Sequence, residues 1–189
     1  MRRCFIMDKR VVKTRRNITE TFLDLFYKKD FEKITIKEIA DAAEIERKTF
    51  YLHYLDKYDL LDAIVQKHFE HLDEICEAKK DLGLEEGTKI WFNFFEAHQL
   101  FFKRLFNIKN ADEYKQKLQK FIIRQLDGRL STAFMHTHHL SEQLFPEFFA
   151  AGIVQMVMVY IQDESSNKSA IENQVVQLLK ITEDAGNSI

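Results

Sequence analysis

The side chains with the clearest binding chemistry lie in one short segment, ERKTFYLH at residues 46–53. If this segment is a helix, Phe50 faces the interior and the polar side chains face outward. The outward side chains are Arg47, Lys48, Thr49, Tyr51 and His53. Guanidinium, ammonium, hydroxyl and imidazole groups hydrogen-bond to phosphate oxygens and base edges, so this pattern indicates a surface that binds nucleic acid.

A capping motif just upstream predicts the element that positions this segment. Thr35 and Glu38 form the pattern T-x-x-E, in which the hydroxyl accepts from the amide of Glu38 and the carboxylate accepts from the amide of Thr35. A helix therefore starts at Ile36, and its amino end, with Thr35, favours a phosphate. A brief connection at residues 44–45 leads into the second short helix. The two short helices make a helix-turn-helix over residues 34–54.

Composition and periodicity predict an all-α fold with about nine helices. Five Gly and one Pro in 189 residues leave few turn formers for a β-rich chain. Residues 83–87 have the composition of a loop. We expect residues 1–56 to be a helix-turn-helix DNA-binding domain, and residues 57–189 to be a helical domain for ligand binding, regulation and dimerisation. Apolar spacing predicts helices at 11–26, 36–43, 46–53, 57–79, 88–107, 112–127, 129–136, 146–163 and 169–184.

The charge of the chain is divided unevenly along its length. Residues 1–57 carry 14 Lys and Arg against 10 Asp and Glu, a net charge of +4. Residues 58–189 carry 14 against 20, a net charge of −6. A mildly basic front and an acidic body fit a DNA-binding end joined to a body with another role.

Three features of the sequence predict a cytoplasmic location and no membrane partner. Cys4 and Cys76 cannot form a disulfide framework. Residues 1–16 have no long apolar core of the kind that a secretory signal needs. The longest apolar stretch, at 148–161, is short for a membrane span and is interrupted by Gln155, so it is typical of a buried helix.

The helical body is rich in aromatic side chains at residues 91–106. Trp91, Phe94, His98 and Phe101 lie there on one predicted helix, and its apolar residues cover more than one face, so other helices must surround it. These residues fill a solid core, or they border a cavity for a small-molecule effector together with residues of the next helices.

The last two predicted helices are candidates for dimerisation. The helix around 148–161 is apolar around nearly its whole circumference, so it needs two partners: the body of its own chain and a symmetry mate. The residues expected at this interface are Phe148, Ile153, Val157, Ile161, Val175 and Leu179.

The sequence also resembles a known family. The run ITIKEIADAAEIERKTFYLHYLDKYDLLDAI resembles the signature of the tetracycline-repressor (TetR) family, and its most specific piece is TFYLHYLDKYDLL at 49–61. The resemblance implies that Thr35 and Lys57 contact phosphate, and that Thr49, Tyr51 and His53 contact backbone or bases. Arg47 and Lys48 match the variable part of the reading surface, which implies a role in sequence choice. It also implies a dimer built on the last two helices, and it favours an effector cavity.

Two positions depart from the family pattern. Members commonly have Gly where this chain has Glu44; the turn is strained if Glu44 adopts a left-handed conformation, and unstrained if it does not. Many members have Ser where this chain has Glu46. A carboxylate can cap a helix start, but it would repel a nearby phosphate, and it could instead accept from cytosine N4.

The interpretation that follows is a homodimeric regulator of transcription that binds a pseudo-palindromic, double-stranded DNA operator. Repression is the family's default. The alternatives are an activator of the same family, or a helical scaffold with a degenerate motif. No nucleophile elbow, phosphate loop or metal-ligand set is present, so we expect neither an enzyme nor a cofactor. The histidines at 136, 138, 139, 68 and 71 lack the further ligands that a metal shell needs.

Overall fold

The computed structural model describes residues 9–78, 82–127, 130–163 and 166–184, and within these ranges the chain is all-helical. The all-α prediction is therefore confirmed. A 3-10 turn lies at Phe31–Lys33, between the first two helices. The α-helices are α1 (Lys9–Lys28), α2 (Ile36–Ala42), α3 (Arg47–Tyr51), α4 (Lys57–Ala78), α5 (Gly83–Ala97), α6 (Gln99–Leu105), α7 (Ala111–Leu126), α8 (Thr132–Thr137), α9 (Leu144–Gln162) and α10 (Lys168–Asp184).

The chain divides into two compact units, one up to Glu70 and one from His71. The predicted domain boundary at 56/57 coincides with the beginning of α4, whereas the two units meet inside that helix. The first turn of α4 belongs with the N-terminal unit because it is bonded to the 3-10 turn. The ring of Tyr58 packs edge-on against Phe31, with centroids 5.0 Å apart, and the Tyr58 hydroxyl donates to Glu32 at 3.1 Å.

The N-terminal unit is built around phenylalanine rings. Ile18, Phe22 and Phe26 recur every four residues along α1, so all three lie on one face, and all three are buried. The ring of Phe31 packs edge-on against both Phe22 and Phe26, with centroids 6.2 and 6.1 Å apart. Each such side chain contributes about 1.5–3 kcal/mol when fully buried, so this cluster fixes α1 against the helices that follow.

The second unit is organised around α9, which packs against α7, α10, α6 and α5. Its inner face includes Ile153, Val157 and Ile161, all buried. Among the described residues, α9 is the one helix long and apolar enough to cross a bilayer by length and composition. The core helix of a globular domain meets the same two criteria, and the burial of these residues fits that description.

Two predictions about the middle of the chain were wrong. Residues 83–87 form the first turn of α5 and not a loop: Gly83 enters it with φ +77°, and Glu85 and Glu86 lie where a helix amino end favours negative charge. The predicted helix at 88–107 is two helices, α5 and α6, since His98 leaves helical geometry (φ −116°, ψ 21°) and its Nδ1 lies 2.8 Å from the Phe94 carbonyl oxygen. The described residues thus form ten α-helices.

Candidate nucleic-acid interface

The capping box predicted at the start of α2 is present. Thr35 Oγ1 accepts from the amide of Glu38 at 3.2 Å, and Glu38 Oε2 accepts from the amide of Thr35 at 2.9 Å. Glu38 Oε1 also accepts from Lys29 Nζ at 2.7 Å. These contacts, the one with Lys29 first, lower the pKa of Glu38 to about 2. The amino end of α2 is therefore held in place, with Thr35 exposed beside it.

The sequence leaves open whether the turn between α2 and α3 is strained at Glu44, and the structure shows the strained form. Glu44 has φ +53°, in the left-handed region. Its amide donates to the Asp41 carbonyl at 3.2 Å, and the amide of Ile45 donates to the Ala40 carbonyl at 3.0 Å. This pair of bonds is the Schellman motif, whose left-handed residue is usually glycine. Asn17 Nδ2 reinforces the turn by donating to the Ala43 carbonyl at 2.7 Å.

Helix α3 presents the predicted outer face. Phe50 is fully buried, whereas Arg47, Lys48 and Tyr51 are exposed and Thr49 is half-buried. Glu46 occupies the N-cap position of α3, but its side chain makes no cap hydrogen bond. Glu46 instead lies 2.9 Å from Lys48 Nζ, so the carboxylate offsets part of the positive charge on this face.

His53 is only half-exposed, and its surroundings favour the neutral ring. Partial burial lowers the pKa of His53, and the charge of Arg15 lowers it further. The Arg15 guanidinium lies over the ring of Tyr54, 5.3 Å from its centroid, and Tyr54 is buried. His53 therefore faces solvent near neutral pH mainly as an uncharged hydrogen-bonding group.

Lys57 makes contacts that the sequence does not predict. Its Nζ donates to the carbonyl oxygens of Phe31 at 2.8 Å, Glu32 at 2.9 Å and Ile34 at 3.1 Å. The ammonium also lies 4.7 Å from the centroid of the Phe31 ring. Because a lysine has three N–H donors, these three carbonyls match its donor capacity. The predicted role of Lys57 in phosphate binding must therefore compete with a structural one.

Two large apolar residues near the end of α3 are exposed, which the sequence analysis did not predict. Leu52, at the end of α3, is 79% exposed, and Leu55, in the connection to α4, is 81% exposed. The available signal was their position: neither falls on the buried side that the spacing of Phe50 and Tyr54 defines.

The predicted effector residues do not converge on one cavity. The second unit contains a cavity of about 50 Å³ that Trp91 lines together with Cys76, Thr88 and Gln125. Trp91 Nε1 lies 3.1 Å from Cys76 Sγ. Of the four predicted residues, only Trp91 lines it. The other three, Phe94, His98 and Phe101, belong to a ring cluster with Phe95 and Phe102.

Most of the predicted dimerisation residues face their own chain. Five of them are buried in the core of the second unit: Ile153, Val157, Ile161, Val175 and Leu179. Phe148 alone of the six is exposed, at 75%. The outer side of α9 and α10 carries a different set, lining an open groove of about 280 Å³: Gln155, Met156, Val159, Ala170, Ile171 and Gln174.

The fold and this surface define a class of protein: a helical regulator with a helix-turn-helix at its amino end and a helical body. Residues 18–64 match the family described as bacterial regulatory proteins, tetR family. Residues 83–181 match the family described as transcriptional regulator C-terminal region. The chain belongs to the TetR family of transcriptional regulators.

Curated relatives agree with this assignment, and a solved structure has the same fold. The chain is 38% identical over 185 residues to the uncharacterized HTH-type transcriptional regulator YxbF of Bacillus subtilis, covering 93% of this chain and 47% of YxbF. It is 25% identical over 111 residues to the dhaKLM operon transcriptional activator DhaS of Lactococcus lactis, covering 58% of each. It thus spans about half the length of these curated relatives. A TetR regulator from Streptococcus agalactiae shares the fold, with TM-score 0.70 and 20% identity over 91% of this chain and 96% of that one.

Proposed function

We propose that this chain is a homodimeric regulator that places one copy of α3 in the major groove at each half of a pseudo-palindromic operator. The observation that carries the proposal is the two-sidedness of α3. Phe50 is fully buried while Arg47, Lys48 and Tyr51 are exposed on a helix slim enough for a groove about 12 Å wide. Thr35 at the amino end of α2 is proposed to contact a backbone phosphate, with Thr49 and His53 as further contacts.

The proposed dimer uses the outer side of α9 and α10. Val159 and Phe148 are exposed apolar residues on α9, and Ile181 is one on α10. The groove lined by Met156 and Ile171 lies on the same pair of helices. A second copy of this chain would cover these side chains in an isologous contact. Two-fold symmetry would set the reading helices about 34–36 Å apart, one turn of DNA.

Repression is the proposed effect on transcription, because a dimer seated on a promoter blocks access to it. Activation is the second candidate, and the similarity to DhaS, which is described as an activator, favours it. A promoter fusion that carries the selected operator separates the two. Expression of the chain lowers reporter output if it represses and raises output if it activates.

The cavity beside Trp91 is the proposed place for a small-molecule effector. At about 50 Å³ it holds only a few water-sized groups, whereas pockets for drug-sized ligands span about 300–1,000 Å³. An effector larger than a few atoms must therefore widen the cavity. It would change operator affinity only by as much as it prefers one conformation of the dimer. The proposed location is the cytoplasm, where the operator is.

The decisive experiment is selection of bound DNA from a random duplex pool, followed by titration of the selected duplex at several salt concentrations. The double substitution Arg47→Ala with Lys48→Ala should weaken binding and flatten the salt dependence. The matched control removes two exposed cations from the second unit, Lys109→Ala with Lys120→Ala. The proposal is contradicted if the chain enriches no DNA, or if the control loses as much affinity as the Arg47→Ala, Lys48→Ala variant. A chain that forms a dimer but enriches no DNA supports the scaffold alternative.

A further inference from the structure

Leu52, the C-cap residue of α3, continues the face that this helix turns away from the protein. At about 100° per residue, Leu52 lies about 160° around the helix axis from Phe50. The Phe50 ring is buried, and Leu52 is 79% exposed. Helical geometry continues through this residue, since its φ and ψ are −73° and −16° and its amide donates to the Lys48 carbonyl at 3.2 Å. The side chain therefore projects from the outer face.

The neighbours of Leu52 place it inside the DNA-facing surface. Lys48 and Thr49 lie one helical turn before it on the same side of α3. Tyr51 is the adjacent exposed residue. An exposed leucine elsewhere on a protein would need no explanation. Here the leucine has donors to phosphates and base edges as its neighbours, and its own side chain has no hydrogen-bonding group.

The chemistry of the major groove offers one partner for such a side chain. Thymine alone among the four bases projects a methyl group into this groove, and apolar side chains contact it. We infer that Leu52 contacts a thymine C5-methyl group in each half-site, and so fixes a T·A pair at one position of the operator. This inference rests on the proposed function, because it requires α3 to enter the groove.

The test uses the duplex selected by the wild-type chain, with each thymine replaced in turn by deoxyuridine, which removes only the methyl group. Burial of one methyl is worth about fourfold in affinity per half-site. We expect one symmetric thymine position at which deoxyuridine weakens wild-type binding by about fourfold per half-site. Leu52→Ala should bind the thymine and the deoxyuridine duplexes equally at that position, at the same salt concentration.

Leu55→Ala is the matched control, because it removes an equally exposed leucine from the connection to α4, three residues after the C-cap of α3. It should keep the wild-type response to deoxyuridine. If Leu52→Ala loses all binding, Leu52→Met takes its place in the test. Methionine keeps an apolar side chain, so this variant should still bind more weakly when deoxyuridine replaces the contacted thymine.

The outcomes separate this inference from the proposed function. A wild-type chain that selects no duplex overturns both. A duplex with no methyl-sensitive position, or one whose sensitivity persists in Leu52→Ala, overturns this inference alone. So does a sensitivity that disappears in Leu55→Ala, or a Leu52→Met chain that binds but does not respond.

Discussion

Removal of the Lys57 ammonium should destabilise the N-terminal unit. Lys57→Met keeps the apolar stem and deletes the donor to the carbonyls of Phe31, Glu32 and Ile34. Two of these bonds are partly buried, and bonds from charged donors contribute about 1.5–3 kcal/mol each before allowance for solvent. Allowing for solvent, and adding about 0.5–1 kcal/mol for the contact with the Phe31 ring, we expect a loss of about 2–4 kcal/mol in the free energy of unfolding.

Urea denaturation followed by far-ultraviolet circular dichroism measures this loss. A small domain has a urea dependence of about 1–3 kcal/mol/M, and at about 2 kcal/mol/M the midpoint should fall by roughly 1–2 M. Lys57→Arg is the discriminating control. Its planar guanidinium keeps the charge but does not match a cradle of three converging carbonyls, so it should restore less than half of the loss.

A different result would refute the structural role. If Lys57→Met unfolds at the wild-type urea concentration, the carbonyl contacts are unimportant for stability. If, in addition, the salt dependence of operator binding falls by about one phosphate contact and Lys57→Arg restores it, the ammonium binds phosphate as the family resemblance implies.

Three further predictions concern the turn, the capping box and the dimer. Glu44→Gly should raise the free energy of unfolding by about 0.5–1 kcal/mol, because glycine adopts φ +53° without strain. Glu44→Ala should give no gain. Calorimetry measures both variants, and an equal gain in the two would show that it comes from removal of the Glu44 charge and not from relief of backbone strain. The lowered pKa of Glu38 means that its charge stabilises the fold above pH 4.5, and that this contribution is lost as the pH falls towards 2. Glu38→Gln should therefore have a lower melting temperature than wild type near neutral pH, and this difference should shrink as the pH falls from 4.5 towards 2. Glu74→Gln is the control, and its difference from wild type should not shrink in this way. A difference for Glu38→Gln that stays constant with pH would disprove the link between the Glu38 charge and stability. Val159→Glu should convert the proposed dimer to a monomer in light-scattering measurements, whereas Val12→Glu, at a similarly exposed valine of α1, should not. A Val159→Glu chain that stays dimeric would contradict the placing of α9 in the interface.

The parts of the fold that depend on near neighbours in the sequence could be predicted. The capping box fixes the start of α2 because Thr35 and Glu38 bond each other's amides, three residues apart. The inward direction of Phe50 follows from helical spacing within one segment. Both features are local, so no knowledge of the packed structure was needed.

The parts that depend on distant contacts could not be predicted. Lys57 meets carbonyls 23–26 residues earlier in the chain, and no pattern in the sequence pairs them. The apolar spacing continues through His98, so it gave no sign that the backbone leaves the helix there. Helix α9 is apolar on all sides, so periodicity could not decide which side faces the chain itself. Five of the six predicted interface residues are buried within the chain, and their place in a dimer stays a prediction.

The contact between Trp91 and Cys76 has a practical consequence. Trp91 is the only tryptophan in the chain, and it borders the cavity of the second unit. The indole emission of the unlabelled protein therefore comes from a single ring whose surroundings change when a molecule enters that space or when the sulfur 3.1 Å away is oxidised. A library of metabolites can be screened by this intrinsic fluorescence before any operator or target gene is known.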